Sequence, residues 1–155
     1  MYPSDRTLAL RATALSVVCV CLLIVALDLA FRADLPTGYL RAYTDPLWPR
    51  TAWSCLDSVG EELVYRLGLM TALAAVPALI RRRAGPGWIV AAIVLAQLVN
   101  TGPLVFVVPP WGMLRFWLVG CVWGWLYWRH GFFSALIGHG VAHILLDPVL
   151  LAVLA

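Results

Sequence analysis

Apolar stretches, several of them long enough to cross a lipid bilayer, occupy most of this sequence. A membrane-spanning helix needs about 20 apolar residues, and the three longest of the five stretches exceed that length. The chain of 155 residues is 63% hydrophobic and 12% charged, whereas soluble domains are about 45–50% apolar and about 25% charged. The sequence therefore predicts an all-α, polytopic membrane bundle of about five helices, formed as one membrane-embedded domain over residues 1–155. It excludes a soluble globule and a nucleic-acid-binding protein.

The predicted helices follow the apolar stretches. Two segments, residues 32–50 and 101–112, are expected to be breaks because each contains several turn-forming prolines. Asp28 is expected to mark the point where the first helix leaves the membrane. The five helices are expected over about residues 8–31, 51–80, 88–100, 113–128 and 132–154.

The placement of arginine predicts the orientation in the membrane, since cytoplasmic loops carry an excess of basic residues. With the N-terminus in the cytoplasm, six arginines lie at cytoplasmic ends and four lie outside. The triplet Arg81–Arg83 stands in a very short loop and strengthens that assignment. We therefore expect a multi-pass protein of the cell (inner) membrane with a cytoplasmic N-terminus.

Ionisable side chains interrupt the second apolar stretch: Asp57, Glu61, Glu62 and Arg66 lie within ten residues. Each ionised side chain at bilayer depth costs at least about 2.5–3.5 kcal/mol. Glu62 and Arg66 are four residues apart and can pair along one helix face, which leaves Asp57 and Glu61 without a partner. The helix must turn these groups toward a protein interior or a water-filled cavity. This predicts a functional site, with a purely structural ion pair as the alternative.

The fifth stretch carries His139, His143 and Asp147, which recur every four residues and share one helix face. Together with the carboxylates of the second stretch, these side chains could bind a metal such as zinc. They could equally hold a water molecule between a glutamate base and a histidine, with a second histidine donating to an oxyanion. The spacing does not decide between the two. No metal or other cofactor is assigned, although zinc stays open, and the HExxH pattern of common zinc proteases is absent.

One segment resembles a known family. Residues Glu61 to Arg66 read EExxxR within an apolar helix, which resembles the first motif of the CPBP family of CAAX-protease and bacteriocin-processing intramembrane endopeptidases. Residues 120–131, GCVWGWLYWRHG, look like the family's small-residue helix that ends in a basic turn. His139 follows eight residues later, where the family has the histidine of its HxxxN or HxxxD motif. The resemblance covers about residues 51–147.

The sequence departs from the family pattern at two positions. His143 stands where HxxxN has its last residue, and His143 with Asp147 offers HxxxD as an alternative register. Gln97 stands where the second motif has a histidine, and an amide cannot act as a base. Either His143 takes that role, or catalysis is weakened, or the chain is a non-catalytic relative.

The resemblance implies an intramembrane glutamic-type endopeptidase that cleaves a membrane-anchored protein or peptide. The chain resembles the small bacterial members that act as protein-sorting peptidases on C-terminal membrane anchors. The alternative class is a non-catalytic membrane factor: a pseudo-protease, an immunity-type partner or a proton-coupled carrier. The expected partners are the bilayer and the anchored substrate.

The resemblance also implies a role for each site residue. Glu61 would be the general base, and Glu62 with Arg66 would hold the motif's geometry. His139 and His143 would orient the water molecule and stabilise the oxyanion. Three further residues would line the same cavity: Gln97, Asn100 and Asp147.

Overall fold

The computed structural model describes residues 5–79, 83–106 and 108–154, and every regular element within them is helical. The predicted all-α bundle is therefore confirmed. In chain order, the elements are α1 (Arg6–Ala30), a 3₁₀ turn (Arg32–Asp34), α2 (Thr37–Ala42), α3 (Leu47–Glu61), a π-helical segment (Glu62–Met70), α4 (Thr71–Leu79), α5 (Pro86–Thr101), a second 3₁₀ turn (Gly102–Phe106), α6 (Pro110–His130) and α7 (Phe132–Leu154).

Helix α3, the π-helical segment and α4 form one continuous helix of 33 residues, Leu47–Leu79. This helix and three others in the described ranges are long and apolar enough to cross a membrane: Arg6–Ala30, Pro86–Leu104 and Phe132–Leu154. Helix α6, the remaining predicted span, has 21 residues and is less apolar because it carries arginine, glycine and many tryptophans. It packs against α1, α5 and α7, and its Trp123 and Leu126 are fully buried.

Prolines begin helices where the sequence analysis expected breaks. Pro36 and Pro46 immediately precede α2 and α3, and Pro49 lies in the first turn of α3. The first N–H groups of a helix have no intrahelical acceptor, so proline removes no hydrogen bond there. For the same reason α6 begins at Pro110, three residues before the predicted start. The prediction that residues 32–50 lack helix is therefore wrong.

The other helix bounds fall close to their predicted positions. Helix α7 spans residues 132–154 as predicted, through Pro148. Helix α5 begins two residues early, at Pro86. Two predictions depend on residues outside the described ranges. The second helix was expected to end at Ile80, and the orientation relied on Arg81 and Arg82.

Helix α7 lies at the centre of the bundle, in contact with α1, α3 and α6. Gly131 is the single residue between α6 and α7. Its φ of 92° lies in the left-handed region that favours glycine. The Gly131 N–H bonds the Tyr127 carbonyl at 2.9 Å and so ends α6. A Cβ on Gly138 would lie 3.0 Å from the Trp123 ring, so this glycine lets the two helices approach closely. Helix α7 also packs against α3, the helix that carries Glu61.

Candidate active site

A cavity of about 500 Å³ lies between the helices, with both polar and apolar side chains in its wall. This volume is within the range of about 300–1,000 Å³ that is typical of small-molecule sites. Glu62 lies behind the wall and is fully buried. Eight other residues singled out from the sequence line the cavity: Asp57, Glu61, Arg66, Gln97, Asn100, His139, His143 and Asp147.

Glu61 is the last residue of α3 and directs its carboxylate into the cavity. Its side chain is 40% exposed. Asn100 of α5 donates from Nδ2 to Glu61 Oε2 at 3.1 Å, and Arg66 Nη1 lies 3.7 Å from the same oxygen. The expectation that Glu61 has no partner is therefore wrong, because an amide and a guanidinium hold one oxygen. Within the described chain, Oε1 forms no hydrogen bond, so the carboxylate keeps an acceptor for another molecule.

Glu62, the first residue of the π-helical segment, joins the two polar helices. Its Oε1 lies 3.0 Å from His139 Nδ1 and 3.6 Å from Arg66 Nε. The predicted pairing of Glu62 with Arg66 is present. A carboxylate at Nδ1 favours the tautomer with the proton on that nitrogen, which leaves Nε2 of His139 as an acceptor. Adjacent glutamates thus have different environments: Glu61 is open to the cavity, and Glu62 is enclosed.

Arg66 lies in the middle of the π-helical segment and is almost fully buried. Its Nη2 donates to Gln97 Oε1 at 3.1 Å and to the Gly120 carbonyl at 3.2 Å. One guanidinium therefore connects both glutamates to α5 and α6. Helices of the π type occur mostly as short insertions within α-helices, frequently at functional sites.

Gln97 is buried in the wall between α5 and α6, and its amide is used at both ends. Besides accepting from Arg66, it donates from Nε2 to the Phe116 carbonyl at 3.3 Å. The backbone of Gly120 leaves space for it, since a Cβ there would stand 2.0 Å from Gln97 Cδ. Gln97 therefore orients the guanidinium of Arg66.

The ring of His139 packs between aromatic neighbours. Trp123 of α6 stacks on it with ring centroids 5.5 Å apart, and His143 stacks on it at 5.3 Å. These stacks fix the plane of the His139 ring, while Glu62 fixes its rotation. His143 lines the cavity beside it.

Asp147 lies one turn further along α7 and is occupied by other contacts. Thr51 donates to its Oδ2 at 2.8 Å, and Arg50 Nε lies 3.8 Å from the same oxygen. The contact of His139 with Glu62 thus favours the register His139–His143 over His143–Asp147, because Asp147 is already paired.

A second buried ion pair was missed by the sequence analysis. Asp28, expected at an exit into water, is fully buried, so that expectation is wrong. It pairs with Arg115 of α6 and accepts a hydrogen bond from Tyr39 of α2. Burial raises the pKa of the Tyr39 hydroxyl, which therefore stays protonated as a donor. The available signal was one carboxylate and one guanidinium, each near one end of a predicted apolar helix.

The described residues contain no group of three or more His, Cys, Asp or Glu side chains arranged to hold a metal ion. The carboxylates nearest the histidines have other partners: Glu62 has Arg66, and Asp147 has Arg50.

Comparison with protein families gives a match over most of the chain. The model of the Rce1-like family, described as type II CAAX prenyl endopeptidase Rce1-like, matches residues 43–145. The matched region begins just before α3 and reaches into α7, so it contains both glutamates, Arg66, Gln97 and both cavity histidines. No curated protein and no solved structure matches the chain.

Proposed function

We propose that this chain, which belongs to the Rce1-like family of type II CAAX prenyl endopeptidases, hydrolyses a peptide bond of a membrane-anchored protein inside the cavity. The observation that carries the proposal is the contrast between two adjacent carboxylates. Glu61 is open to the cavity, whereas Glu62 is enclosed and lies 3.0 Å from His139. This contrast supports a role in chemistry for Glu61 and a role in orientation for Glu62.

In the proposed reaction, Glu61 acts as the general base. Its free oxygen accepts a proton from a water molecule as the water oxygen attacks the scissile carbonyl carbon. Asn100 and Arg66 hold the other oxygen, which fixes the direction of the carboxylate. When the C–N bond breaks, Glu61 returns the proton to the leaving amine.

The two histidines have complementary roles in this proposal. His139 accepts a hydrogen bond from the water molecule at Nε2, since Glu62 engages Nδ1. His143 donates to the oxyanion that forms on the carbonyl oxygen, as such donors stabilise tetrahedral intermediates. Gln97 acts on Arg66 and does not contact the water molecule. Its amide therefore does not replace the base that a histidine would provide.

The proposed substrate is a protein with a C-terminal membrane anchor, and the proposed location is the cell (inner) membrane. A cavity within a membrane bundle suits a substrate segment that is itself held in the bilayer. No metal is part of this reaction, so cleavage is expected to persist after dialysis against a chelator.

The test uses the full chain in liposomes and a reporter protein that ends in an apolar helix followed by a basic tail. Glu61→Gln is expected to abolish cleavage, while Asp34→Asn removes an exposed acidic charge outside the cavity and is expected to cleave normally. Mass spectrometry of the released reporter identifies the scissile bond. Normal processing by the double variant Glu61→Gln/His139→Ala would overturn the proposal.

A non-catalytic role is the second candidate, and Gln97 is the observation that favours it. The amide is fully engaged with Arg66 and the Phe116 carbonyl, so the site lacks one basic side chain of the family pattern. A wild-type protein that retains the reporter on an affinity resin without cleaving it supports this candidate.

A further inference from the structure

The π-helical segment ends at a pair of hydroxyl groups whose residues do not line the cavity. Thr71, the first residue of α4, places Oγ1 3.1 Å from the Arg66 carbonyl and 2.6 Å from the Tyr127 hydroxyl of α6. Tyr127 is buried in the apolar cluster that includes Met70. None of these groups takes part in the proposed reaction.

The direction of these hydrogen bonds follows from the number of protons. The Thr71 hydroxyl has a single hydrogen, and only that hydrogen can serve the Arg66 carbonyl, since a carbonyl is an acceptor alone. Tyr127 must therefore be the donor in its contact with Thr71. The three groups form a chain in which the tyrosine donates to the threonine and the threonine donates to the backbone of Arg66.

The Thr71 side chain acts at the junction between the two helix types. The backbone N–H of Thr71 bonds the Gly68 carbonyl, while its side-chain hydroxyl donates to the Arg66 carbonyl five residues earlier. Arg66 belongs to the π-helical segment and Thr71 to α4, so this hydrogen bond spans the point where the segment returns to regular α-helix.

We infer that Thr71 and Tyr127 are positioning residues that stabilise the π-helical register and thereby place Arg66 against Glu61, Glu62 and Gln97. The inference rests on the proposed function for its catalytic consequence. Arg66 is four residues from Glu62 and five from Glu61, and the number of residues in each turn decides which carboxylate its nitrogens reach. Misplacing a positioned group by about 1 Å can cost as much as about 100-fold in rate.

The experiment compares Thr71→Val, Thr71→Ser and Tyr127→Phe with a matched control, Thr13→Val. Thr13 of α1 also donates to a carbonyl of its own helix, that of Ala9 at 2.8 Å, but it lies outside the cavity and the π-helical segment. Each variant is assayed with the tail-anchored reporter for kcat and KM per folded enzyme. Hydrogen–deuterium exchange of residues 62–70 is measured in lipid nanodiscs.

For Thr71→Val we expect kcat to fall about tenfold with little change in KM and exchange of residues 62–70 to accelerate. Tyr127→Phe gives a smaller change in the same direction, Thr71→Ser keeps wild-type values, and Thr13→Val changes neither quantity. Equal effects of Thr71→Val and Thr13→Val on both measurements overturn the inference. If the wild-type protein does not cleave the reporter, only the proposed function fails, because the exchange comparison still decides the role of Thr71.

Discussion

Gly120 and Gln97 approach each other so closely that a Cβ on Gly120 would stand 2.0 Å from the Gln97 side-chain amide. The same glycine supplies a carbonyl to Arg66. A position that looks like part of a small-residue helix interface is therefore also part of the wall that holds the guanidinium.

Replacing this glycine by alanine is expected to displace Gln97 and, with it, Arg66. We expect Gly120→Ala to lower the free energy of unfolding by about 1–3 kcal/mol, as overpacking does, and to reduce cleavage. Gly87→Ala is the control, since a Cβ there meets no atom within 4 Å. Thermal unfolding in detergent and the reporter assay measure the two effects. A Gly120→Ala protein as stable and active as Gly87→Ala would contradict the prediction.

The two glutamates are expected to respond differently to the same change. Glu62→Gln leaves Arg66 and His139 without their buried carboxylate, and loss of one partner of a buried ion pair costs about 3–5 kcal/mol. Glu61→Gln changes a partly exposed side chain, and its effect on stability is expected to stay within about 1 kcal/mol. Both variants lose cleavage. Unfolding curves in detergent separate them, and equal destabilisation by the two substitutions would be inconsistent with this assignment.

Gln97 gives a prediction about hydrogen bonding. Gln97→Leu removes both the acceptor for Arg66 and the donor to the Phe116 carbonyl, so we expect reduced activity and a lower unfolding temperature. Gln97→His keeps one donor and one acceptor and restores the family's usual residue, so it is expected to be tolerated. Cleavage rates and unfolding temperatures of both variants check this. A wild-type cleavage rate and unfolding temperature for Gln97→Leu would show that Gln97 has no role in the site. The roles assigned to the two glutamates would not be affected.

The stability of the chain should depend on alkaline pH through Tyr39. Burial raises the pKa of this hydroxyl above its ordinary value of about 10. The stabilising effect is fully present below pH 10 and decreases as the pH rises above it, because the unfolded chain releases the proton first. The chain has no lysine, so the other side chains that titrate in this range are four tyrosines and four cysteines, which wild type and Tyr39→Phe share. Between pH 9 and pH 11, unfolding temperatures of Tyr39→Phe are expected to fall less than those of the wild type, and equal slopes would contradict the prediction.

The orientation is the remaining sequence-based prediction to be tested. A reporter enzyme that is active only in the cytoplasm is expected to be active when fused after Arg83. A second reporter that is active only outside is expected to be active when inserted within residues 32–50. Fusions at both positions in the same cells are the measurement. The opposite pattern would invert the orientation.

The sequence predicted the bounds of those helices whose apolar stretches end at glycine, proline or charged residues. Helix α7 fills the run between Gly131 and the last residues, and its histidine face follows from the spacing of four. The proximity of Glu61 or Glu62 to His139 was also predicted, and the structure has Glu62 at 3.0 Å. The resemblance implied Glu61 as the base and Glu62 as the partner of Arg66. The π-helical segment that sets the rotation of these side chains was not predicted, because no propensity rule locates it.

Contacts between distant helices were the main omission. Asp28 and Arg115 are 87 residues apart, and no local pattern links them. The helical starts at Pro36 and Pro46 were missed because proline was interpreted as a breaker, although it is equally compatible with a first turn. The sequence thus predicts the elements and the polar faces, whereas the tertiary contacts decide the role of each polar residue.

The separation of Asp28 from Arg115 also has a consequence for synthesis. Helix α1 enters the bilayer before α6 exists, and at about 5–20 residues per second the ribosome needs about 4–17 s to reach the arginine. During that time the aspartate has no guanidinium beside it, so it must stay near the headgroups, where water still reaches it. Burial of α1 to its final depth is therefore a late step, and it is completed only when the chain has delivered α6.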